Sequence, residues 1–168
     1  MTAIRFITPA DHGDINAVIT AAFGQRDEAD LVERLRGDGD VLFEQAATLG
    51  GSVVGHILFS RLTVIRNDAS VIAATSLAPL SVRPDCQNRG VGSDLVSAGL
   101  DECRKRRIPA VIVLGDPDYY RRFGFSAAAA RLLAAPFSGP NFMAIELDSG
   151  ALEDGGKVRY PAAFGLPG

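Results

Sequence analysis

The stretch VIAATSLAPLSVRPDCQNRGVG, Val71 to Gly92, decides the fold. Its first part, Val71 to Val82, reads as a long strand that carries Pro79 in its second half. A proline inside an otherwise central strand removes a ladder donor, so the strand should bulge or part from a neighbour there and leave backbone groups free for a ligand. Beyond the loop, Val91, Leu95, Val96, Gly99, Leu100 and Cys103 fall at helical spacing, which predicts a helix between Gly90 and Arg107. Asp94 in its first turn and Arg104 to Arg107 at its end both suit the helix dipole. IPAVIVLG at 108–115 is apolar on both faces, as expected of a buried strand parallel to the one before the helix. The order strand, loop, helix, strand over 71–114 makes this an α/β chain.

The loop carries the chemistry. Gly90 and Gly92 let backbone N–H groups converge on an anion, and the helix N-terminus adds about half a positive charge. Gln87, Asn88 and Arg89 place polar donors at the same spot, so a pyrophosphate fits; glycines that merely ease a sharp strand-to-helix turn are the plainer account. There is no GxxxxGK[ST] phosphate loop, and GVGSDL lacks the third glycine of the dinucleotide fingerprint, so neither a kinase nor a dehydrogenase is supported.

Upstream, Ile4 to Thr8 reads as an opening strand, and Pro9-Ala10-Asp11 supply turn and cap chemistry before the periodic run Ile15, Val18, Ile19, Ala22, Phe23. A second helix is expected from about Asp27 to Arg36 on Leu31, Val32 and Leu35, ended by Gly37 and Gly39 and packed on the first. VLFEQAATL at 41–49 and SVVGHILFSRLTVI at 52–65 flank Gly50-Gly51, a dipeptide able to take the positive φ angles of a tight antiparallel hairpin. RNDAS at 66–70 is the next turn. Downstream, Asp116-Pro117 has the form of an N-cap with proline at the first helical position, opening a short helix that Gly124 closes. NFMAIEL at 141–147 and KVRYPAAF at 157–164 read as late strands, the second weakened by Pro161. No boundary, repeat or low-complexity tract interrupts the chain, so 1–168 is expected to be a single domain.

Composition narrows the function. The 168 residues are 47% hydrophobic and 22% charged, ordinary for one globular domain. At that length folding buries roughly 70% of the unfolded surface, so neither disulfides nor a structural metal is needed. Seventeen Lys+Arg against twenty Asp+Glu give a net charge of -3, without the basic excess that drives binding to DNA or RNA. No apolar run approaches the ~20 residues of a membrane span, and MTAIRFITPADHGD lacks the look of a secretory signal, so the cytoplasm is the expected compartment. Cys86 and Cys103 offer one possible pair and no CxxC spacing, and read as reduced thiols. His12 and His56 are too few and too far apart for a metal site.

Three motifs carry a resemblance: L-A-P-L-S-V-R-P at 77–84, the Q-x-x-G-x-G loop from Gln87 to Gly92, and Y-R-R-F-G-F at 120–125. With them the sequence resembles the GNAT superfamily of acetyl-CoA-dependent N-acetyltransferases over about residues 4–147. The GDPDYYRRFGF and VRYPAAF segments are similar to a bacterial subgroup described only as predicted acetyltransferases. The resemblance implies a mixed sheet flanked by helices, an antiparallel meander plus a parallel strand pair splayed to hold acetyl-CoA as cosubstrate; from the two distant histidines, no metal is expected. It places the pantetheine and acetyl carbonyl on the backbone of Leu80 and Val82, and the diphosphate on Gln87, Asn88, Arg89, Gly90, Val91 and Gly92. An amide aimed at the thioester carbonyl would stabilise the oxyanion formed when an amine attacks.

The family's general acid, a tyrosine four residues before the glycine of Y-x-x-x-G-F, corresponds to Tyr120. A phenol near pKa 10 protonating a thiolate whose acid is near ~8.5 works uphill by about 2 kcal/mol, so hydrogen-bond stabilisation of the leaving thiolate suffices as its role. Both Tyr119 and Tyr120 also read as core aromatics beside Phe123 and Phe125. Periodicity does not separate them, since Phe123 is i+4 from one and i+3 from the other. The strand 71–82 contains no Asp or Glu to deprotonate the substrate ammonium, a departure from some family members. Asp116, Glu28, Asp30 or a water chain are the candidates, although Asp116 is equally a cap and the other two equally a solvated helix face. His56 reads as a satisfied core imidazole.

The expected activity is transfer of the acetyl group of acetyl-CoA to a primary amine, on a small molecule or a peptide, by direct attack on the thioester. The alternative is a catalytically inactive acyl-CoA-binding sensor or partner module; Tyr120 argues against it and the missing strand carboxylate leaves it open. An adenine-nucleotide-binding fold using the same loop is the third. No nucleic acid or membrane partner is expected, and a homodimer is compatible with the sequence.

Overall fold

Phe6 ends the first strand two residues sooner than the apolar pattern suggests, because the amide of Thr8 turns away to a side chain. A computed structural model describes residues 2–166. In it β1 (Ala3–Phe6) runs antiparallel to β2 (Val41–Leu49), in register from Ala3↔Thr48 to Phe6↔Gln45. The Thr8 N–H then donates to Asp11 Oδ2 at 2.8 Å, and both Asp11 oxygens accept from the Arg5 guanidinium at 2.8 Å. Arg5 and the Thr8 amide together hold the Asp11 carboxyl well below the usual carboxylate range. This knot starts α1 (His12–Phe23), which Gly24 closes at φ +72 before α2 (Asp27–Gly37).

The two helices pack as a pair, with Ile15, Val18 and Ile19 of α1 and Ala29, Val32 and Leu35 of α2 buried. Asn16 Nδ2 donates to Glu33 Oε1 at 2.7 Å across them. Gly50 and Gly51 stand at φ +58 and +83, the paired positive angles of a type I′ hairpin turn, and return β2 into β3 (Ser52–Ile65). β4 (Val71–Val82) follows, then α3 (Val91–Lys105) and β5 (Ala110–Leu114), parallel to β4. α3 stops at Lys105 because Arg107 turns left-handed at φ +58 and the Ile108 amide returns to the Cys103 carbonyl.

A short α4 (Pro117–Tyr120) precedes β6 (Leu133–Ala134), β7 (Phe142–Glu146) and β8 (Gly156–Arg159). The strands hydrogen-bond in the order β1-β2-β3-β4-β5-β7, with β8 on β3 and β6 on β8, a mixed eight-stranded sheet flanked by helices as the resemblance implied. The late segment KVRYPAAF is a strand only as far as Arg159; after Pro161 it forms a 3-10 turn at Ala162–Phe164. β6 has two residues, too short for any periodicity to announce it.

Two compact units divide the chain. The first runs to Phe59 and includes Ala78–Glu102; it holds the paired helices and most of α3. The second comprises Ser60–Leu77 and the chain from Cys103 onward. Its core is built on Leu62, Val64, Ala110, Ile112, Phe142 and Ala144, strand residues pointing to shared faces. Among the described residues no helix is long and apolar enough to cross a membrane.

Candidate functional site

The β4 ladder with β5 has its last pair at Ser76↔Ile112, whereas β4 itself continues to Val82. The six residues beyond that pair include Pro79, Leu80 and Val82, so the part of the strand assigned to the pantetheine lies outside the parallel ladder. Along it Pro79 and Ser81 are buried, and Ala78, Leu80 and Val82 are half-buried on the opposite face, the period-two alternation of a strand with one accessible side. The Arg83 amide still donates to the Val54 carbonyl at 2.7 Å, which fixes where the strand ends and the loop begins.

In the loop, Pro84–Cys86 forms a single 3-10 turn, and Gln87 Nε2 donates back to the Val82 carbonyl at 3.0 Å. The Gln87 side chain therefore braces the loop instead of reaching outward. Asn88 at φ +62 and Gly90 at φ +84 both take the left-handed conformation, which swings consecutive peptide N–H groups to one side. The first helical bond runs from the Asp94 amide to the Gly90 carbonyl at 3.0 Å. Among the described residues, the amides of Asn88, Arg89, Gly90, Val91 and Gly92 donate to no protein group. An added Cβ at Gly90 would meet nothing within 4 Å, so the loop is open at that position. Free donors, positive backbone angles and the positive end of a fifteen-residue helix make a ready anion cradle.

The second unit carries the tyrosine segment. The Gly115 amide donates to the Asn141 carbonyl at 3.0 Å, and Asp116 caps α4 by accepting from the Asp118 amide at 3.0 Å. Gly124 at φ +102 closes the following 3-10 turn. The two tyrosines that periodicity could not separate have different neighbours. Tyr119 sits edge-to-face with Phe123 at 5.4 Å, with the Arg122 guanidinium 4.7 Å from its ring centre. Tyr120 stands edge-to-face with the fully buried Phe125 at 5.7 Å. Among the described residues no protein group hydrogen-bonds the Tyr120 hydroxyl, and burial raises its pKa above the ordinary phenol value.

Each candidate base has a structural partner. Asp116 is the cap just described, Glu28 accepts from Gln25 Nε2 at 2.8 Å, and Asp30 pairs with Arg26 at 3.4 Å. His56 is fully buried, and its Nε2 lies 2.7 Å from Glu44 Oε1. Glu44 in turn accepts from Arg36 at 2.8 and 3.0 Å. Sequence reasoning missed this Arg36–Glu44–His56 cluster; its one signal was a glutamate in the middle of the apolar run VLFEQAATL. Burial works to raise the Glu44 carboxyl, but His56 and Arg36 outweigh it and hold it at about 2. Burial pushes His56 down, so it is neutral and donates from Nε2.

A mixed sheet in which β4 runs past its parallel ladder into a helix start with free amides is compatible with an acetyltransferase fold. The model of the family described as "Acetyltransferase (GNAT) domain" matches residues 3–128, and the chain belongs to that family. It is similar to YjhQ of Escherichia coli K12, described as an uncharacterised N-acetyltransferase, at 39% identity over 122 residues, 71% of this chain and 67% of YjhQ. A second relative, YhbS of the same strain, is 37% identical over 127 residues, 75% of this chain and 74% of YhbS. The crystal structure of Escherichia coli YhbS in complex with CoA superposes with a TM-score of 0.89 at 33% identity, covering 99% of this chain and 93% of that one. A GNAT family acetyltransferase from Brucella melitensis in complex with acetyl-CoA gives 0.81 at 30% identity, with 98% of each chain covered.

Proposed function

We propose that this protein is an N-acetyltransferase that transfers the acetyl group of acetyl-CoA to a primary amine, on a small molecule or a peptide, in the cytoplasm. The observation that carries this reading is the run of five unbonded amides from Asn88 to Gly92, opening on free space at Gly90. Such a cradle suits a diphosphate, the group that sets coenzyme A apart from most thiols, and exposed Arg89 adds a positive charge beside it. The complexes of the Escherichia coli and Brucella melitensis structures with CoA and acetyl-CoA support the same ligand class.

Acetyl-CoA supplies the activated acyl group. In this reading, the Leu80–Val82 stretch, beyond the end of the β5 ladder, presents strand backbone to the pantetheine amides, with the Val82 carbonyl already taken by Gln87. Tyr120 keeps its proton, because burial weakens it as an acid, and stabilises the departing thiolate by hydrogen bonding. With Asp116, Glu28 and Asp30 each engaged by a structural partner, water carries the proton of the substrate ammonium to solvent and frees the amine lone pair for attack. The test is release of free thiol from acetyl-CoA in the presence of a panel of primary amines, followed with a thiol reagent. Amine-dependent release supports transfer; tight acetyl-CoA binding with no release across the panel would leave an acyl-CoA-binding module instead.

A further inference from the structure

Gly115 lies directly before the cap of α4, and its backbone does not require glycine: it is not among the glycines at positive φ. A side chain is excluded for another reason. A Cβ built on Gly115 would come 2.6 Å from Tyr120 Cε2, 3.1 Å from Cδ2 and 3.6 Å from Cζ. The ring of Tyr120 thus occupies the volume in which the first side-chain atom of residue 115 would stand. Ordinary van der Waals contact begins at 3.4 Å, so an alanine would force the ring edge back by about 0.8 Å, the gap between 2.6 and 3.4 Å.

The ring has little freedom to absorb that displacement in place. Phe125, fully buried, stands edge-on at 5.7 Å, and the Tyr119 ring stands edge-on at 5.0 Å. The Gly115 backbone is itself pinned by its bond to the Asn141 carbonyl, and the start of α4 by the Asp116 cap and the Tyr120 amide bond to Asp116. The half-buried ring can only tip outward, carrying its hydroxyl with it.

We propose that Gly115 is a positioning residue, the seat on which the Tyr120 ring rests so that its hydroxyl is held at one place. The seating follows from contacts alone; its catalytic consequence rests on the role given to Tyr120 above. Displacements near 1 Å at a reacting group cost up to about 100-fold in rate.

The experiment is a double-mutant cycle with a spectroscopic arm. Gly115→Ala should lower kcat about 10- to 100-fold with KM for acetyl-CoA within a few-fold of the parent. In a Tyr120→Phe background the same substitution should add little. Full multiplication of the two effects, or an unchanged kcat in Gly115→Ala where Tyr120→Phe is impaired, overturns the proposal. The chain has three tyrosines and no tryptophan, and burial pushes Tyr160 up to about 12 as well, so alkaline titration of tyrosinate absorbance reads Tyr120 as the difference from Tyr120→Phe. Gly115→Ala should move one phenol toward the ordinary value as the ring tips into water, and an unchanged titration overturns the seating. If Tyr120→Phe retains full activity, the role of Tyr120 falls while the titration still judges the seat. If Gly115→Ala does not fold, Gly115→Ala in a Tyr120→Ala background must fold with the melting temperature of Tyr120→Ala alone. A double variant that also fails to fold overturns the proposal.

Discussion

Tyr120 and His56 show at the scale of single residues how surroundings set chemistry. Tyr120→Phe removes one hydroxyl and keeps the ring against Phe125. Turnover is expected to fall about 10²- to 10³-fold with acetyl-CoA affinity little changed, while Tyr119→Phe does much less. Initial rates with an accepted amine, at a pH where that amine is deprotonated, check both. His56 makes a different prediction. Its pKa is lower in the fold than the ordinary 6.5, so below pH 6.5 the unfolded chain binds a proton that the native state refuses. Native stability is therefore retained above pH 6.5 and falls as the pH drops below it. Glu44 adds to the loss lower down, between its ordinary 4.5 and about 2, as its paired carboxylate is protonated. Urea midpoints between pH 7.5 and 5 should fall for the parent and stay flatter for His56→Gln, which cannot take up the proton.

At the scale of elements, α3 combines an open start with a tightly packed middle. Gly99 sits in mid-helix, where Ala would ordinarily gain about 1 kcal/mol. Here an added Cβ would come 2.4 Å from Phe59 Cε2, and Phe59 is fully buried and stacked on Phe43 at 4.7 Å. The ring cannot retreat, so overpacking at about 1–3 kcal/mol outweighs the propensity gain. Gly99→Ala is expected to lower stability by about 1 kcal/mol net, read as a shift in the urea midpoint without change in slope. The α3 stripe of Val91, Leu95, Val96 and Leu100 was legible because an amphipathic helix announces itself every 3.6 residues. The need for glycine at 99 was not legible, because it comes from a ring forty residues earlier in the chain.

For the whole molecule the expected consequence of the loop is ligand-linked stability. Saturating acetyl-CoA at 100 times its dissociation constant adds about 2.7 kcal/mol to the native state. The melting temperature of ligand-free protein should rise accordingly, and the rise should be absent in Gly90→Val, whose side chain would occupy open space at the loop and strain a φ of +84. A normal rise in that variant would mean that the loop is only a turn.

Local chemistry in the sequence was enough to determine the hairpin at Gly50-Gly51, the paired early helices, the strand, loop and helix from Val71 to Lys105, and the cap at Asp116. Each rests on residues within a few positions of one another, where backbone angles and side-chain period act. What converges from far apart was decided only by tertiary structure. The Arg36–Glu44–His56 cluster joins a helix end to two strands, and no periodicity links those positions. The distinction between Tyr119 and Tyr120 also came from packing, since both suit the same short helix and only the fold sets Phe125 and the bare backbone of Gly115 against Tyr120. The loop was legible as an anion site or a plain turn from its two glycines and polar neighbours; its run of unbonded amides emerged once the folded chain had shown which hydrogen bonds the neighbouring backbone makes and which it leaves unmade.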